Sequence, residues 1–397
     1  MSNSPTLRVM RREFGRIAAR KAVYALMIIL PLVVFFLVSY IYRDRVIVDI
    51  PFAVCDLDNS RLSRTIIRSV ESTRSLKITA DLSSIEDIKD EMRRGAVWGA
   101  VYIPAGLEKD IKFGKPARIV IYNNNSNIII GNLILKDAST ISQTISGAIL
   151  MKRLEAGGLS PEQALALANP IRIDSYALFN PGYNYASFLS PALVMVLLQM
   201  LIMILAVVAI NDEINEGTLG DLFRAADGKV AAVLGGKTLA HVAVHSATGL
   251  GVLALLLPMF RIEIHGSILL AIPFMIYFVA ASFLPGLAIS CLFNNKYLVT
   301  DIAALYNSPA FLFSGYTFPL WAMPGFHYFY AQLLPFTHFL NGFLKIYQYN
   351  APAKYLLPDI GALSIFIFGS LIMATVLLKY RVKPMIKAVS GASEVAS

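Results

Sequence analysis

Apolar positions along the 397 residues follow two regimes. Residues 23–42, 187–210, 232–259, 267–293, 297–317 and 358–379 form apolar, charge-poor runs, and a helix needs about 20 such residues to cross a bilayer. Between the first and second runs the pattern changes. Charges return, and short alternating stretches interleave with helical ones. Residues 50–55, 97–103 and 119–122 read as strands. Ser60 is placed to cap a helix carrying Leu62, Ile66 and Val70. Ser83 and Glu86 have capping-box spacing ahead of Ile88 and Met92, with Gly95 as the stop. A long helix over 128–155 and a shorter one opened by Ser160-Pro161-Glu162-Gln163 complete the region. The expected fold is a polytopic α-helical membrane protein. It has six transmembrane helices, with an extracytoplasmic α+β domain over 43–183 inserted between the first and second spans.

Both ends add to this. Leu7, Met10, Phe14 and Ile17 share a helical face, with Arg8, Arg12 and Arg16 mostly off it, so residues 1–22 read as a cytoplasmic amphipathic helix on the inner membrane surface. The span at 23–42 has no small-residue cleavage site after it and reads as an uncleaved anchor. Residues 184–380 form a five-span domain with a cytoplasmic segment at 211–228, and 381–397 are a cytoplasmic tail. The stretch 316–349 is aromatic but broken by Pro319, Pro324 and Pro335, which suits a re-entrant hairpin in the outer leaflet. Phe318, Trp321, Phe326, Tyr328 and Tyr330 would sit at the interface.

Composition supports this reading. The chain is 56% hydrophobic and 15% charged, which excludes an ordinary soluble globule. Its charge of +9 is concentrated beside the spans, at Arg8, Arg11, Arg12, Arg16, Arg20 and Lys21 and again at Lys379, Arg381, Lys383 and Lys387. That pattern places both termini in the cytoplasm and needs no nucleic acid to explain it. Cys55 and Cys291 are too few for a disulfide framework, and no Cys/His set has metal-ligand spacing.

Residues 211–223, NDEINEGTLGDLF, directly follow an apolar run. Glu213 and Glu216 stand three apart and share a helix face, and Gly217-Thr218 can make a tight bend. A short acidic segment just inside the membrane suits docking onto a separate soluble partner. The series Glu213-Ile214-Asn215-Glu216-Gly217-Thr218-Leu219, with Leu222 and Lys237, resembles the coupling-helix signature of ABC-2 type exporter permeases. Asp56-Leu57-Asp58-Asn59-Ser60 with Leu62-Ser63-Arg64 is similar to the start of the external domain in the drug-export branch of that family. Ser314-Gly315-Tyr316, Phe318-Pro319, Met323-Pro324 and Pro335-Phe336-Thr337 are similar to its re-entrant region. Gly220 departs from the acidic residue that members often carry after the Gly-Thr-Leu step, and Ala225-Ala226 stand where many have proline.

The resemblance implies a permease subunit of an ATP-driven exporter in a bacterial inner membrane. It further implies a dimer with a second copy or a paralogue, and a cytoplasmic ABC ATPase that carries the ATP and Mg. The chain itself holds no cofactor and catalyses nothing. A periplasmic adaptor and outer-membrane channel are left open. Glu213, Glu216, Gly217, Thr218, Leu219 and Leu222 are the expected ATPase-coupling residues, the glutamates through charge and the leucines through apolar anchoring. The family also implies that the second and fifth spans line the path, which singles out Gln199, Tyr306, Asn307 and Ser314. A mostly apolar path suits an amphipathic, drug-like or lipid-like cargo.

Other motifs have weaker claims. Gly235-Gly236-Lys237-Thr238 is similar to the end of a P-loop, but Ala231 stands where that loop needs glycine, and Lys237 is expected to snorkel to the headgroups. Asp56 and Asp58 are similar to a phosphatase aspartate pair but lack its later acidic residues, so a strand-to-helix turn is expected. His241 and His245 share a helix face and suit hydrogen bonds between helices. Asp301 either complements a helix dipole or marks a substrate entrance. Competing functions are an ion-coupled secondary transporter, which should carry ionisable groups deep in its spans, and a membrane-anchored sensor with an external ligand domain.

Overall fold

The computed structural model describes residues 4–41, 47–168, 178–179, 185–259 and 264–395. Two compact units result, one over Met1–Arg45 and Leu178–Ser397, the other over Val46–Ala177. The larger unit opens with α1 (Pro5–Ala19). Pro5 pre-sets the first turn, and the Ser4 hydroxyl accepts from the Leu7 N–H at 3.4 Å. α2 (Lys21–Ile41) follows at once.

The smaller unit has four strands, β1 (Ile50–Asp56), β2 (Leu76–Asp81), β3 (Gly99–Ile103) and β4 (Val120–Asn123), in spatial order β2-β1-β3-β4. β1 pairs in parallel with β2 and β3, and β4 closes the edge antiparallel to β3. The helices are α3 (Arg61–Glu71), α4 (Ile85–Arg93), α5 (Leu107–Lys112), α6 (Ile128–Ala156) and α7 (Pro161–Ala168). Alternation along β1 sends Ile50, Phe52 and Val54 into one core with Ile66, Val70 and Ile134. It sends Ala53 and Cys55 into another with Ile88. Ser60 and Ser63 form a capping box on α3, while α4 is capped by Ser84 rather than the expected Ser83. β2 was not expected from the sequence.

The larger unit resumes with α8 (Tyr185–Val208), α9 (Asn211–Asn215), α10 (Leu219–Ala225) and α11 (Val230–Gly251). A π turn over Val252–Leu256 joins α11 to α12 (Leu257–Met259). The rest are α13 (Ile268–Leu292), α14 (Lys296–Asn307), α15 (Ala310–Phe313), α16 (Gly325–Gln332), α17 (Pro335–Tyr347) and α18 (Leu357–Val395). α13 is the central helix, burying Phe274, Phe278 and Phe283. α17 lies against it, with Phe339 stacked on Phe278 at 3.7 Å between ring centroids.

Among the described residues, four helices are long and apolar enough to cross a membrane: Phe188–Asn215, Val230–Met259, Ile268–Leu292 and Ala353–Arg381. α2 is 21 residues long, with Ile28–Ile41 its apolar stretch among the described residues. The expected continuous span at 297–317 is instead broken between α14 and α15. Ser308 is still helical, but Pro309 has no N–H to give and its ψ of 3° leaves the helix, and Gly315, at φ +87°, ends the segment. The stretch 316–349 also differs from a simple hairpin. Phe318, Trp321 and Phe326 in its first half are exposed, but α17 buries Phe336, Phe339 and Phe343 in the bundle core.

Candidate coupling site

The segment between α8 and α11 is two short helices around a sharp bend. Gly217 makes the bend at φ +69°, a conformation open to glycine, and the Thr218 N–H returns to the Glu213 carbonyl at 2.9 Å. Asp212, Glu213, Leu219, Leu222 and Phe223 are buried, whereas Asn215, Glu216, Gly217, Gly220, Asp221 and Arg224 are exposed.

What buries Glu213 is α1, about two hundred residues away in sequence. The apolar face read from the sequence is divided, Leu7 and Phe14 on the outside of the helix and Ile17 on the inside. Val9, Glu13 and Ile17 face the bundle. α1 crosses α11 at Gly235 and Gly236. A Cβ on Gly236 would stand 2.5 Å from the Val9 Cβ and 2.8 Å from the Thr6 carbonyl oxygen, so only glycine permits this approach. The Gly-Gly-Lys run is therefore a helix crossing.

The close crossing aims a stripe of arginines, spaced four apart, at residues 212–227. The Arg8 Nε donates to the Ala225 carbonyl at 3.0 Å, and Arg8 also pairs with Asp227. Arg12 grips Glu213 with both terminal nitrogens, at 2.7 and 2.9 Å. Arg16 reaches Glu216 at 2.6 Å, Glu213 at 3.3 Å and the Thr218 hydroxyl at 3.0 Å. Arg20 bridges Asp212 and Glu216.

Behind these pairs lies a second layer. Lys237 does not snorkel. It is fully buried and donates to Glu13 at 2.6 Å and to Glu213 at 3.0 Å. The other Glu13 oxygen lies 3.1 Å from the His241 Nε2, and His241 stacks on Phe283 at 4.8 Å. Burial pushes the Glu13 carboxyl up, but the hydrogen bond with His241 and the charge of Lys237 outweigh it and hold the group at about 2. The hydrogen bond to Glu213 raises Arg12 further above its ordinary value. A continuous ionic chain thus links the 211–225 bend to α1 and α11. The Lys296 Nζ, 2.9 Å from Asp212, extends it to α14.

A family model described as ABC-2 family transporter protein matches residues 21–376. The chain belongs to the ABC-2 transporter family. No curated protein sequence matches it. The membership makes the protein a transporter membrane subunit, and the family implies a partnering ABC ATPase.

The other residues expected in this permease lie as follows. Gln199 on α8 and Asn307 on α14 meet, the Gln199 Nε2 donating to the Asn307 Oδ1 at 2.9 Å. The Asn307 amide also donates to the Ala303 carbonyl at 2.7 Å. Tyr306 and Ser314 do not join them. The Tyr306 hydroxyl bonds to the Leu333 carbonyl, and the Ser314 hydroxyl to the Phe311 carbonyl at 2.7 Å. Asp301 is exposed. Asp56 accepts from the Asp58 and Asn59 N–H groups at 3.0 and 3.1 Å, and Asp58 accepts from the Gly106 and Glu108 N–H groups at 2.8 and 3.1 Å. These aspartates build the turn after β1 and cap α5. Among the described residues no group of three His, Cys, Asp or Glu is placed to hold a metal.

Sequence reasoning missed Glu13, Asp212 and the arginine stripe as partners of the 211–223 segment. A signal was there: Glu13 is the single acid of a helix with arginines at a four-residue repeat.

Proposed function

We propose that this permease is the membrane subunit of an ATP-driven exporter in a bacterial inner membrane. It works as a dimer with both termini cytoplasmic and the Val46–Ala177 unit outside. A separate cytoplasmic ATPase carries the ATP and Mg and docks on the bend at 211–225. The observation behind this reading is the clamp formed by Arg12, Arg16 and Arg20 on Asp212, Glu213 and Glu216. A loop held by one fork-like and several single charged contacts moves as a body with α1 and α11. Force applied at the bend therefore reaches two helices at once.

The roles within the segment then divide. Glu213, Leu219 and Leu222 are packed inside the chain, so they position the bend. Glu216, half-exposed at 45% of its side chain, with Gly217, Gly220 and Asp221, presents the docking face. Thr218 locks the bend to Arg16. The cargo is amphipathic, drug-like or lipid-like, moving past the pair of α8 and α14 where Gln199 and Asn307 meet.

Photo-crosslinking amino acids at positions 217, 220 and 221 test this in intact cells. A single adduct containing a nucleotide-binding ATPase is expected from all three positions. Adducts to lipid alone would sink the docking assignment. The buried Glu13–Lys237–His241 set and the buried Asp359, paired with Lys345 at 2.7 Å, are observations that favour an ion-coupled carrier. Transport that persists in vesicles without ATP but collapses with the proton gradient would decide for it.

A further inference from the structure

A cavity of about 510 Å³ opens between α1, α8, α11 and α14. Its size is that of a ligand pocket rather than a packing defect. Arg16, Arg20 and Lys296 line it on the polar side, with Glu13 and Asp212. Ile204, Leu205 and Val208 from the last turns of α8, with Ala209 just after it, supply the apolar lining.

The charges do not balance. Within this ion-paired cluster, Arg12, Arg16, Arg20, Lys237 and Lys296 face Glu13, Asp212, Glu213 and Glu216, which leaves one positive charge in excess. The carboxylates are also shared. Asp212 serves both Arg20 and Lys296, and Glu216 serves both Arg16 and Arg20. A guanidinium has five N–H donors in a planar fork, so the arginines retain capacity that another oxyanion can satisfy. A cation finds no such opening, since the Glu13 oxygens are taken by Lys237 and His241. The apolar lining argues equally against a small hydrophilic anion, which would leave four apolar side chains facing nothing.

We propose that this cavity binds an anionic amphiphile. The headgroup, a phosphodiester, phosphate monoester or carboxylate, lies between Arg16, Arg20 and Lys296. The alkyl chain follows Leu205 and Val208 along α8 toward the membrane. The volume holds a headgroup and the upper part of a chain, so the rest of the chain lies in the bilayer. The inference rests on the membrane placement given under Proposed function. It does not depend on the ATPase, because binding is read on the permease alone.

The test is native mass spectrometry of the full-length permease, delipidated in detergent and titrated with palmitoyl-oleoyl phosphatidylglycerol, palmitoyl-oleoyl phosphatidylcholine and inorganic phosphate. One phosphatidylglycerol per chain is expected, bound at least about tenfold more tightly than phosphatidylcholine, a preference equal to about 1.4 kcal/mol. Phosphate at the same concentration should not displace it. Lys296→Glu, which inverts the charge excess at a half-exposed position, should abolish the preference. Val208→Trp, which fills the cavity from a partly exposed position, should abolish the binding itself. Elution at the wild-type volume confirms that both variants fold. Dodecyl phosphate identifies the source of the ligand. Displacement of phosphatidylglycerol points to a soluble single-chain amphiphile, and failure to displace points to a two-chain bilayer lipid. Equal binding of the two lipids, displacement by phosphate, or unchanged binding in both variants would overturn the proposal. An ATPase that fails to co-purify would leave this result standing, so the two readings fail separately.

Discussion

At the scale of the residue, the two glutamates of the bend have different work despite being three positions apart. Glu213 has no exposed surface and satisfies Arg12, Arg16 and Lys237 together. Removing its charge breaks the buried pair with Lys237 and the forked pair with the part-buried Arg12, and the loss of a buried pair costs about 3–5 kcal/mol. Glu213→Gln should therefore lower the unfolding temperature of the detergent-solubilised chain sharply. Glu216→Gln, at a half-exposed pair, should change stability by less than about 1 kcal/mol. Similar losses in the two variants would contradict the assignment. Glu13 adds a pH dependence. Its folded-state value, about 2, lies below its ordinary 4.5. The stability it contributes is thus complete above 4.5 and is lost as pH falls toward 2. Over that window wild type should lose stability relative to Glu13→Gln, as followed by intrinsic fluorescence, and parallel curves would refute the ion pairing.

At the scale of the element, the crossing of α1 over α11 is the joint on which the clamp depends. Gly236→Ala would drive a methyl group into Val9 and into the Thr6 backbone, neither of which can yield cheaply. Gly235→Ala meets only the Thr6 methyl at 3.3 Å, a contact a small shift relieves. Trypsin cleavage at the exposed Arg11 should accelerate strongly in Gly236→Ala and little in Gly235→Ala. Equal rates would mean that the crossing does not hold α1 in place.

The same elements show how much the sequence made legible. Strands β1, β3 and β4, the caps at Ser60 and Ser160, and the long apolar helices follow from local periodicity and capping, which act over a few residues. β2 was legible too and was overlooked: Leu76, Ile78 and Ala80 alternate with Lys77, Thr79 and Asp81, the period of a half-buried strand. The broken helix at 308–309 needed more weight on Pro309 than on apolar content. The bend at Gly217 could be read from its residue types. The burial of Glu213 could not, because its partners come from α1 and α11, and nothing local says which carboxylate meets which arginine across the fold. Lys237 was misread for the same reason. A lysine near a membrane edge snorkels unless a buried carboxylate is brought to it, and here two are.

At the scale of the whole molecule, the chain is an ABC-2 family membrane protein in which one ionic cluster ties the first helix to the bend, to α11 and to α14. In the proposed function this cluster transmits force from an ATPase to the bundle, with the docking face and the transmitting core made of different residues. That separation can be measured directly. The tagged permease would be purified from its native membranes in mild detergent, with the bound ATPase quantified and ATP-driven transport assayed after reconstitution. Wild type should carry a stoichiometric ATPase. Asp221→Arg together with Glu216→Arg should lose it. Gly236→Ala should retain it, hydrolyse ATP and transport poorly. A well-folded wild-type chain that brings no ATPase with it, or a Gly236→Ala complex that transports at the wild-type rate, would contradict the account.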